Sequence, residues 1–271
     1  MRARSWIAIA VGIAALYALT LAVGLGGRRW LRLFHRNPPA VWQAWQLPDV
    51  HALPGDARGV SIRYGMQLMV DTPAVVPAYT GGKVTCSNCY VAGGIAPYAA
   101  PLVGTAQAYP KFSKRAGRVI SLQDRIEECF VRSENGRPLP QDSREMRALV
   151  DYIGWLSAPQ PQHLPFIGRG LVALPALTPD PAHGAQIYAT QCAGCHGSDG
   201  AGSRPLFPPL WGPESFNDGA GMNRIAKMAA FVQANMPQNR KGTLTAQEAF
   251  DVAAYIHAQP RPAFNPAYKQ Y

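Results

Sequence analysis

The run Cys192-Ala193-Gly194-Cys195-His196 limits the possible folds of this chain more than any other sequence feature. A single helical turn carries two thiols and an adjacent imidazole, the pattern that attaches c-type haem and supplies a ligand to its iron. A zinc site would need a second Cys or His pair nearby, and none follows. A thioredoxin-like dithiol would need a preceding strand, which Pro179 and Pro181 disfavour. The motif therefore predicts a small helical domain built around haem c, with Cys192 and Cys195 as the covalent anchors.

The second axial ligand of this haem is predicted to be Met236. It lies in Asn235-Met236-Pro237, 40 residues after His196, at a distance along the chain that suits a loop over the far haem face. A thioether opposite an imidazole raises the potential of a c-type iron. Apolar residues at helical spacing predict a helix just before this loop. Met222 is the rival ligand.

The chain repeats its organisation. The run Cys86-Ser87-Asn88-Cys89-Tyr90 lies 106 residues before the run that begins at Cys192. Residues 149–153 match residues 252–256 at an offset of 103. An amphipathic helix closes each copy. The pattern predicts a mostly α, loop-rich fold with two cytochrome c-like domains in tandem.

Residues 6–27 are uncharged and mostly apolar, long enough to span a bilayer. They predict one transmembrane helix before the soluble body; a long signal peptide is the alternative. Arginines after this span would keep the body in the cytoplasm by the positive-inside rule. Haem attachment outside the cytoplasm outweighs that rule, so we expect a single-pass inner-membrane protein with a periplasmic body.

The net charge of +10 does not indicate nucleic-acid binding. Residues 1–36 hold six Arg and no acid, whereas the remainder holds 20 basic and 16 acidic residues.

The predicted segments are an anchor with basic flanks (1–36), a Pro-rich linker (37–58), a cytochrome c-like domain with an altered motif (59–158), a linker (159–181), a haem-carrying cytochrome c domain (182–262) and a tail (263–271).

Further motifs carry a family resemblance over about residues 60–262. They are Tyr64-Gly65, Tyr79-Thr80-Gly81-Gly82, Cys86-x-x-Cys89, Ala100-Pro101-Leu102-Val103-Gly104, Asp124-Arg125-Ile126-Glu127-Glu128-Cys129-Phe130, Arg132-Ser133, Asn135-Gly136-Arg137-Pro138-Leu139-Pro140, Phe207-Pro208-Pro209-Leu210-Trp211-Gly212 and Ser215-Phe216-Asn217-Asp218-Gly219. With the haem motif, they resemble the dihaem thiosulfate dehydrogenases, whose N-terminal domain is similar to the haem-thiolate cytochrome of the sulfur-oxidation complex.

This resemblance implies that the first haem is the catalytic one, with a proximal His from its attachment motif and a distal thiolate from Cys129. It also implies a substrate site at Arg115, Arg125 and Ser133. Cations have an evident role there, because two thiosulfate dianions must be held side by side.

Tyr90 stands where the family's proximal His should be. Three outcomes follow. The first domain holds no haem, leaving Cys86, Cys89 and Cys129 as thiols or a disulfide; or haem attaches and Tyr90 ligates as phenolate; or a distant His, His51 or His163, substitutes. We favour the first outcome, so one haem c is expected and a second is doubtful.

These features favour a membrane-anchored periplasmic c-type cytochrome that transfers electrons through a His/Met haem in its C-terminal domain. Its expected partner is a membrane respiratory complex or another cytochrome. The alternative is a thiosulfate dehydrogenase with unusual first-haem ligation, forming tetrathionate from thiosulfate. A structural subunit of a respiratory complex is a third possibility.

Overall fold

The structure is a computed structural model that describes residues 47–159, 168–203 and 206–271. The part of the chain that it describes is mostly helical, and long loops join the helices. These residues belong to one compact unit, Ala44–Tyr271, within which each half has its own apolar core. The prediction of a mostly α, loop-rich fold is therefore confirmed.

The first half, as described over residues 47–159, contains six helices and one β-hairpin. They are α1 (Ala57–Val70), α2 (Thr72–Val75), α3 (Cys86–Cys89), α4 (Val91–Gly94), β1 (Lys111–Ser113), β2 (Arg118–Ile120), α5 (Leu122–Arg132) and α6 (Arg144–Ser157), with 3-10 turns at Val50–Ala52, Pro77–Tyr79 and Ala106–Ala108. The strands are antiparallel and pair Phe112 with Val119.

Helices α1 and α6 cross closely in the first core. Gly65 makes this crossing possible, since a Cβ atom there would lie 2.2 Å from the carbonyl oxygen of Ala148. Asp56 caps α1 by accepting a hydrogen bond from the Gly59 amide at 2.9 Å. This cap starts α1 at Ala57.

The second half repeats this arrangement. Its elements are α7 (Pro181–Ile187), a π-helical turn (Tyr188–Cys192), α8 (Ala193–His196), α9 (Ile225–Asn235) and α10 (Ala246–His257), with 3-10 turns at Gln238–Arg240 and Pro266–Tyr268. Helices α7 and α10 cross at Gly184, where a Cβ atom would lie 2.0 Å from the Asp251 carbonyl oxygen. In each half, therefore, a glycine lies where one helix crosses the last: on α1 at its crossing with α6, and on α7 at its crossing with α10.

The two halves pack directly on each other. Ala96, Ala99 and Phe231 form a small buried cluster between them. The Asn217 side-chain amide donates to the carbonyl oxygen of Val131 at 2.9 Å. The second half is thus held in a fixed position against the end of α5, where several of the predicted site residues lie.

None of the helices in the three described ranges is long and apolar enough to cross a bilayer. The predicted span at residues 6–27 lies outside those ranges, as do residues 37–46 of the linker at 37–58 and residues 160–167 of the second linker, including His163.

Candidate haem and anion sites

The second Cys-x-x-Cys-His motif has the geometry of a haem attachment site. Helix α8 ends at His196, whose side chain is buried. The Nδ1 atom of His196 lies 3.0 Å from the carbonyl oxygen of Pro208. A hydrogen bond from Nδ1 to this oxygen leaves the Nε2 lone pair free for a metal. Burial also lowers the pKa of the imidazole, which favours its neutral, ligating form.

The thiols of this motif are accessible. Cys195 is exposed and Cys192 is half-buried against the second core. Two reachable thiols beside an oriented, neutral imidazole fit haem c. Met222 and Met236 both pack against the second core and the cluster between the halves, so the choice between them as axial ligand stays a prediction.

The first motif has different contacts. Tyr90 follows α3, and its hydroxyl lies 3.5 Å from the Cys129 sulfur. Arg125 joins both groups: its Nη2 donates to the Tyr90 hydroxyl at 3.0 Å and its Nη1 to the Cys129 sulfur at 3.1 Å. The structure therefore brings together Tyr90, Arg125 and Cys129, which lie up to 39 residues apart.

The Cys86 thiol of the first motif lies in a polar network. The Thr72 hydroxyl lies 3.3 Å from the Cys86 sulfur, and the Cys86 amide donates to that hydroxyl at 3.1 Å. Burial raises the pKa of Cys86 well above its usual value and that of Cys89 to about 12. Glu134 is buried beside them, and the loss of hydration raises its pKa to about 8. These groups are therefore mostly protonated at neutral pH.

This arrangement does not accommodate a haem between Tyr90 and Cys129. The Tyr90 hydroxyl and the Cys129 sulfur are in direct contact with each other at 3.5 Å. The Arg125 guanidinium donates a hydrogen bond to each of these two atoms, so both residues that would ligate an iron there are already engaged by protein contacts. His51, a substitute ligand considered above, is exposed in the turn at Val50–Ala52.

A cavity of about 400 Å³ lies beside this cluster. It is lined by residues of both halves: Lys114, Arg115, Arg125, Glu128, Arg132, Ser133, Gly221, Arg224 and Lys227. The predicted substrate residues Arg115, Arg125 and Ser133 are thus brought together at one site.

Two family models match the chain. "SoxA/TsdA, cytochrome c domain" matches residues 78–161, and "Cytochrome C oxidase, cbb3-type, subunit III" matches residues 179–256. The thiosulfate dehydrogenase of Allochromatium vinosum is 40% identical over 260 residues, which are 91% of this chain and 92% of that protein. The chain belongs to the thiosulfate dehydrogenase family. The family resemblance in the sequence is confirmed, and haem c is the cofactor.

Other members of the family agree. The thiosulfate dehydrogenase of Stutzerimonas stutzeri is 41% identical over 80% of this chain and 73% of its own length. The solved thiosulfate dehydrogenase TsdBA of Marichromatium purpuratum, in its "as isolated" form, superposes with a TM-score of 0.76 at 37% identity. That match covers 80% of this chain and 50% of the solved chain. The cytochrome c-like fold is therefore confirmed.

The cavity of this thiosulfate dehydrogenase homologue carries an excess of positive charge. Six of its lining side chains are cationic and one, Glu128, is a carboxylate, which pairs with Arg125 at 3.3 Å. Burial, followed by the neighbouring arginines, lowers the pKa of Lys227. A small anion would relieve the mutual repulsion of these cations.

Sequence reasoning missed four cationic residues of this cavity: Lys114, Arg132, Arg224 and Lys227. Arg132 stands in a quoted family motif, but nothing in its pattern distinguishes it from a surface arginine. Arg224 and Lys227 flank the start of a helix that is apolar by pattern, about 100 residues from the other cations along the chain. Only the packing of the two halves places them at the site.

Proposed function

We propose that this chain oxidises thiosulfate, which it binds in the cation-lined cavity, and that it passes the electrons to haem c in its second half. The observation that supports this most directly is the cavity itself, in which six cations from both halves face one carboxylate. Curated relatives that match most of the chain are named thiosulfate dehydrogenases, which supports the same substrate.

The cations have a defined task in this reaction. Two thiosulfate dianions lose two electrons in total as one sulfur–sulfur bond forms between them, giving tetrathionate. Dianions about 6 Å apart repel by roughly 3 kcal/mol in water and roughly 11 kcal/mol at an effective dielectric constant of 20. Arg115, Arg125 and Lys227 offset this repulsion when they surround the pair.

The residues of the second motif hold the redox centre. Haem c, when bound, supplies a one-electron centre there. Cys192 and Cys195 would anchor it, and His196 would ligate the iron through Nε2, oriented by Pro208. Met236 is the proposed second ligand. Because Arg224 and Lys227 belong to the half that carries this motif, an anion in the cavity contacts that half directly.

Location and partner follow from the same chemistry. We place the body in the periplasm, anchored by residues 6–27, because c-type haem is attached outside the cytoplasm. The electrons would then go to a membrane respiratory complex or another cytochrome. The match of residues 179–256 to a subunit of a terminal oxidase supports a respiratory partner.

A second candidate is an electron carrier without thiosulfate chemistry. The contact between Tyr90 and Cys129 favours it, because the first half then lacks the family's catalytic haem. The two candidates differ in one property: only the first is reduced by thiosulfate itself.

The test is the reduction of the oxidised full-length protein by thiosulfate without oxygen, followed by the haem absorbance. We expect saturable reduction, with one tetrathionate formed for every two haems reduced, because each haem accepts one electron. Arg115→Met should raise the half-saturating thiosulfate concentration about tenfold. Arg58→Met, which removes an exposed arginine of α1 that does not line the cavity, is the matched control. A protein that ascorbate reduces and thiosulfate does not would be the electron carrier instead.

A further inference from the structure

We infer that the first half of this chain binds no haem, and that the Tyr90 hydroxyl has taken the iron's place and, with the Cys129 sulfur, holds Arg125 in the wall of the anion cavity. The haem-free state is independent of the proposed function. The assignment of thiosulfate as the anion that contacts Arg125 rests on the proposed function.

The position of Tyr90 comes from its turn. Its amide donates to the carbonyl oxygen of Cys86 at 3.0 Å, so Tyr90 leaves α3 as the residue after the second cysteine must. A phenol hydroxyl reaches further from the backbone than imidazole Nε2. The hydroxyl therefore reaches the Cys129 sulfur directly.

Arg125 closes the remaining space. Its guanidinium is bonded to the Tyr90 hydroxyl, to the Cys129 sulfur and to the Glu128 carboxylate, at 3.0, 3.1 and 3.3 Å. Three anchors fix the plane and position of this group. About a third of the side chain, 35%, stays exposed, and the residue lines the cavity. Arg125 is therefore held rigidly where an anion can reach it.

Cys86 of the first motif is also engaged by protein contacts. Cys86 bonds with Thr72, whose hydroxyl lies 2.9 Å from that of Thr85 and donates to the Leu68 carbonyl oxygen at 2.8 Å. In the second motif, Cys195 is exposed instead. The two motifs thus differ beyond one residue: one presents a thiol outward, and the other keeps both thiols half-buried in the fold.

The haem count tests the first part. The full-length protein, made with the c-type maturation machinery, is measured by intact mass and by its haemochrome spectrum. We expect one covalent haem per chain. After reduction and unfolding, an alkylating reagent should modify three cysteines: Cys86, Cys89 and Cys129. Two haems per chain, with a single alkylated cysteine, would overturn the inference.

Tyr90→Phe tests the positioning role, because it keeps the ring and removes the hydroxyl. Thiosulfate binding is measured by calorimetry on ascorbate-reduced protein, which cannot oxidise it. We expect about tenfold weaker binding, as for the loss of one hydrogen bond to a charged group, with an unchanged haem count. Tyr64→Phe removes a hydroxyl that donates to Glu145 at 3.0 Å and is the matched control. Equal binding by Tyr90→Phe and wild type would refute the positioning role.

The two proposals fail separately. One haem with no reduction by thiosulfate would leave the haem-free first half standing and refute the proposed function. Two haems with rapid reduction by thiosulfate would refute the haem-free first half and leave the proposed function standing.

Discussion

Tyr90 and His196 each follow a Cys-x-x-Cys turn, but the two side chains meet different surroundings. His196 turns Nδ1 to a backbone carbonyl and keeps Nε2 free. Tyr90 places its hydroxyl against a thiol and a guanidinium. One substitution therefore changes a metal-binding position into part of a protein-only polar cluster.

Tyr90→His is expected to gain a second covalent haem. The shorter imidazole withdraws from Cys129 and supplies the missing nitrogen ligand, while both cysteines of the turn are already present. Intact mass and the haemochrome spectrum check this, with Tyr90→Phe as the control that should stay at one haem. If Tyr90→His also stays at one haem, the contacts of Arg125 and Thr72 are enough to exclude the macrocycle.

Glu134 is a buried acid whose ionisation opposes folding. Its Oε2 atom is buried and has no hydrogen-bond partner among the described residues, and burial raises its pKa to about 8. The folded state holds this proton more tightly than the unfolded state, whose pKa is near 4.3. The free energy of unfolding should therefore fall as pH rises from about 4 to about 8.

Glu134→Gln should remove most of that fall. We expect the variant to be more stable than wild type by about 4 kcal/mol at pH 9 and close to it at pH 5. Denaturant unfolding at the two pH values measures this. A variant that loses as much stability at pH 9 as wild type does would place the titrating group elsewhere.

At the scale of elements, helix α5 organises the first-half site. It carries Arg125, Cys129 and Arg132 at spacings of four and three, so the three lie on neighbouring turns of one face. Its start is set by Ser121 and Asp124, which form a capping box. The stability of this capping box therefore affects where α5 places its cavity-lining side chains.

Asp124→Asn is expected to weaken this start in a pH-dependent way. Hydrogen bonding to Arg118, and then to Ser121, lowers the pKa of Asp124 to about 2. Its stabilisation is therefore present above about pH 4 and disappears as pH falls towards 2. We expect a loss of about 1 kcal/mol at pH 7 and almost none at pH 2, measured by thermal unfolding. An equal loss at both pH values would show that the charge of Asp124 does not matter.

Helix α9 brings charge from the second half into the cavity. Lys227→Met should weaken thiosulfate binding several-fold by removing one of the six cations, without changing the haem spectrum. Calorimetry on reduced protein measures the binding. Lys241→Met, an exposed lysine outside the cavity lining, should bind as wild type does. If Lys227→Met binds normally, the site is confined to the first half.

At the scale of the whole molecule, two similarly built halves have unequal roles. One keeps the features that fit haem c, and the other contributes most of the cations of the site. Their contact is direct, through Phe231 and the Asn217 hydrogen bond to Val131. A fixed contact between binding site and redox centre suits electron transfer better than a flexible tether would.

A reductive titration should take up one electron per chain. The prediction follows from a single haem, because the described part of the first half offers no site that fits another. A mediated titration followed by absorbance would show one component with one equivalent. Uptake of two equivalents at separate potentials would indicate a second haem.

Much of the fold could be predicted from local sequence patterns. The Cys-x-x-Cys turns, the helix before Met236 and the paired closing helices are recognisable because they depend on contacts within a few residues. The positions of Arg224 and Lys227 could not be predicted, because about 100 residues separate them from Arg115 and Arg125.

The sequence by itself determined that this is a c-type cytochrome with two similar halves and an altered first motif, since covalent haem attachment needs a short, contiguous run of residues. Only the tertiary structure decided how the altered motif is filled and where the anion site lies. Both depend on side chains that meet across the fold: Tyr90 with Arg125 and Cys129, and the cations of α5 with those of α9.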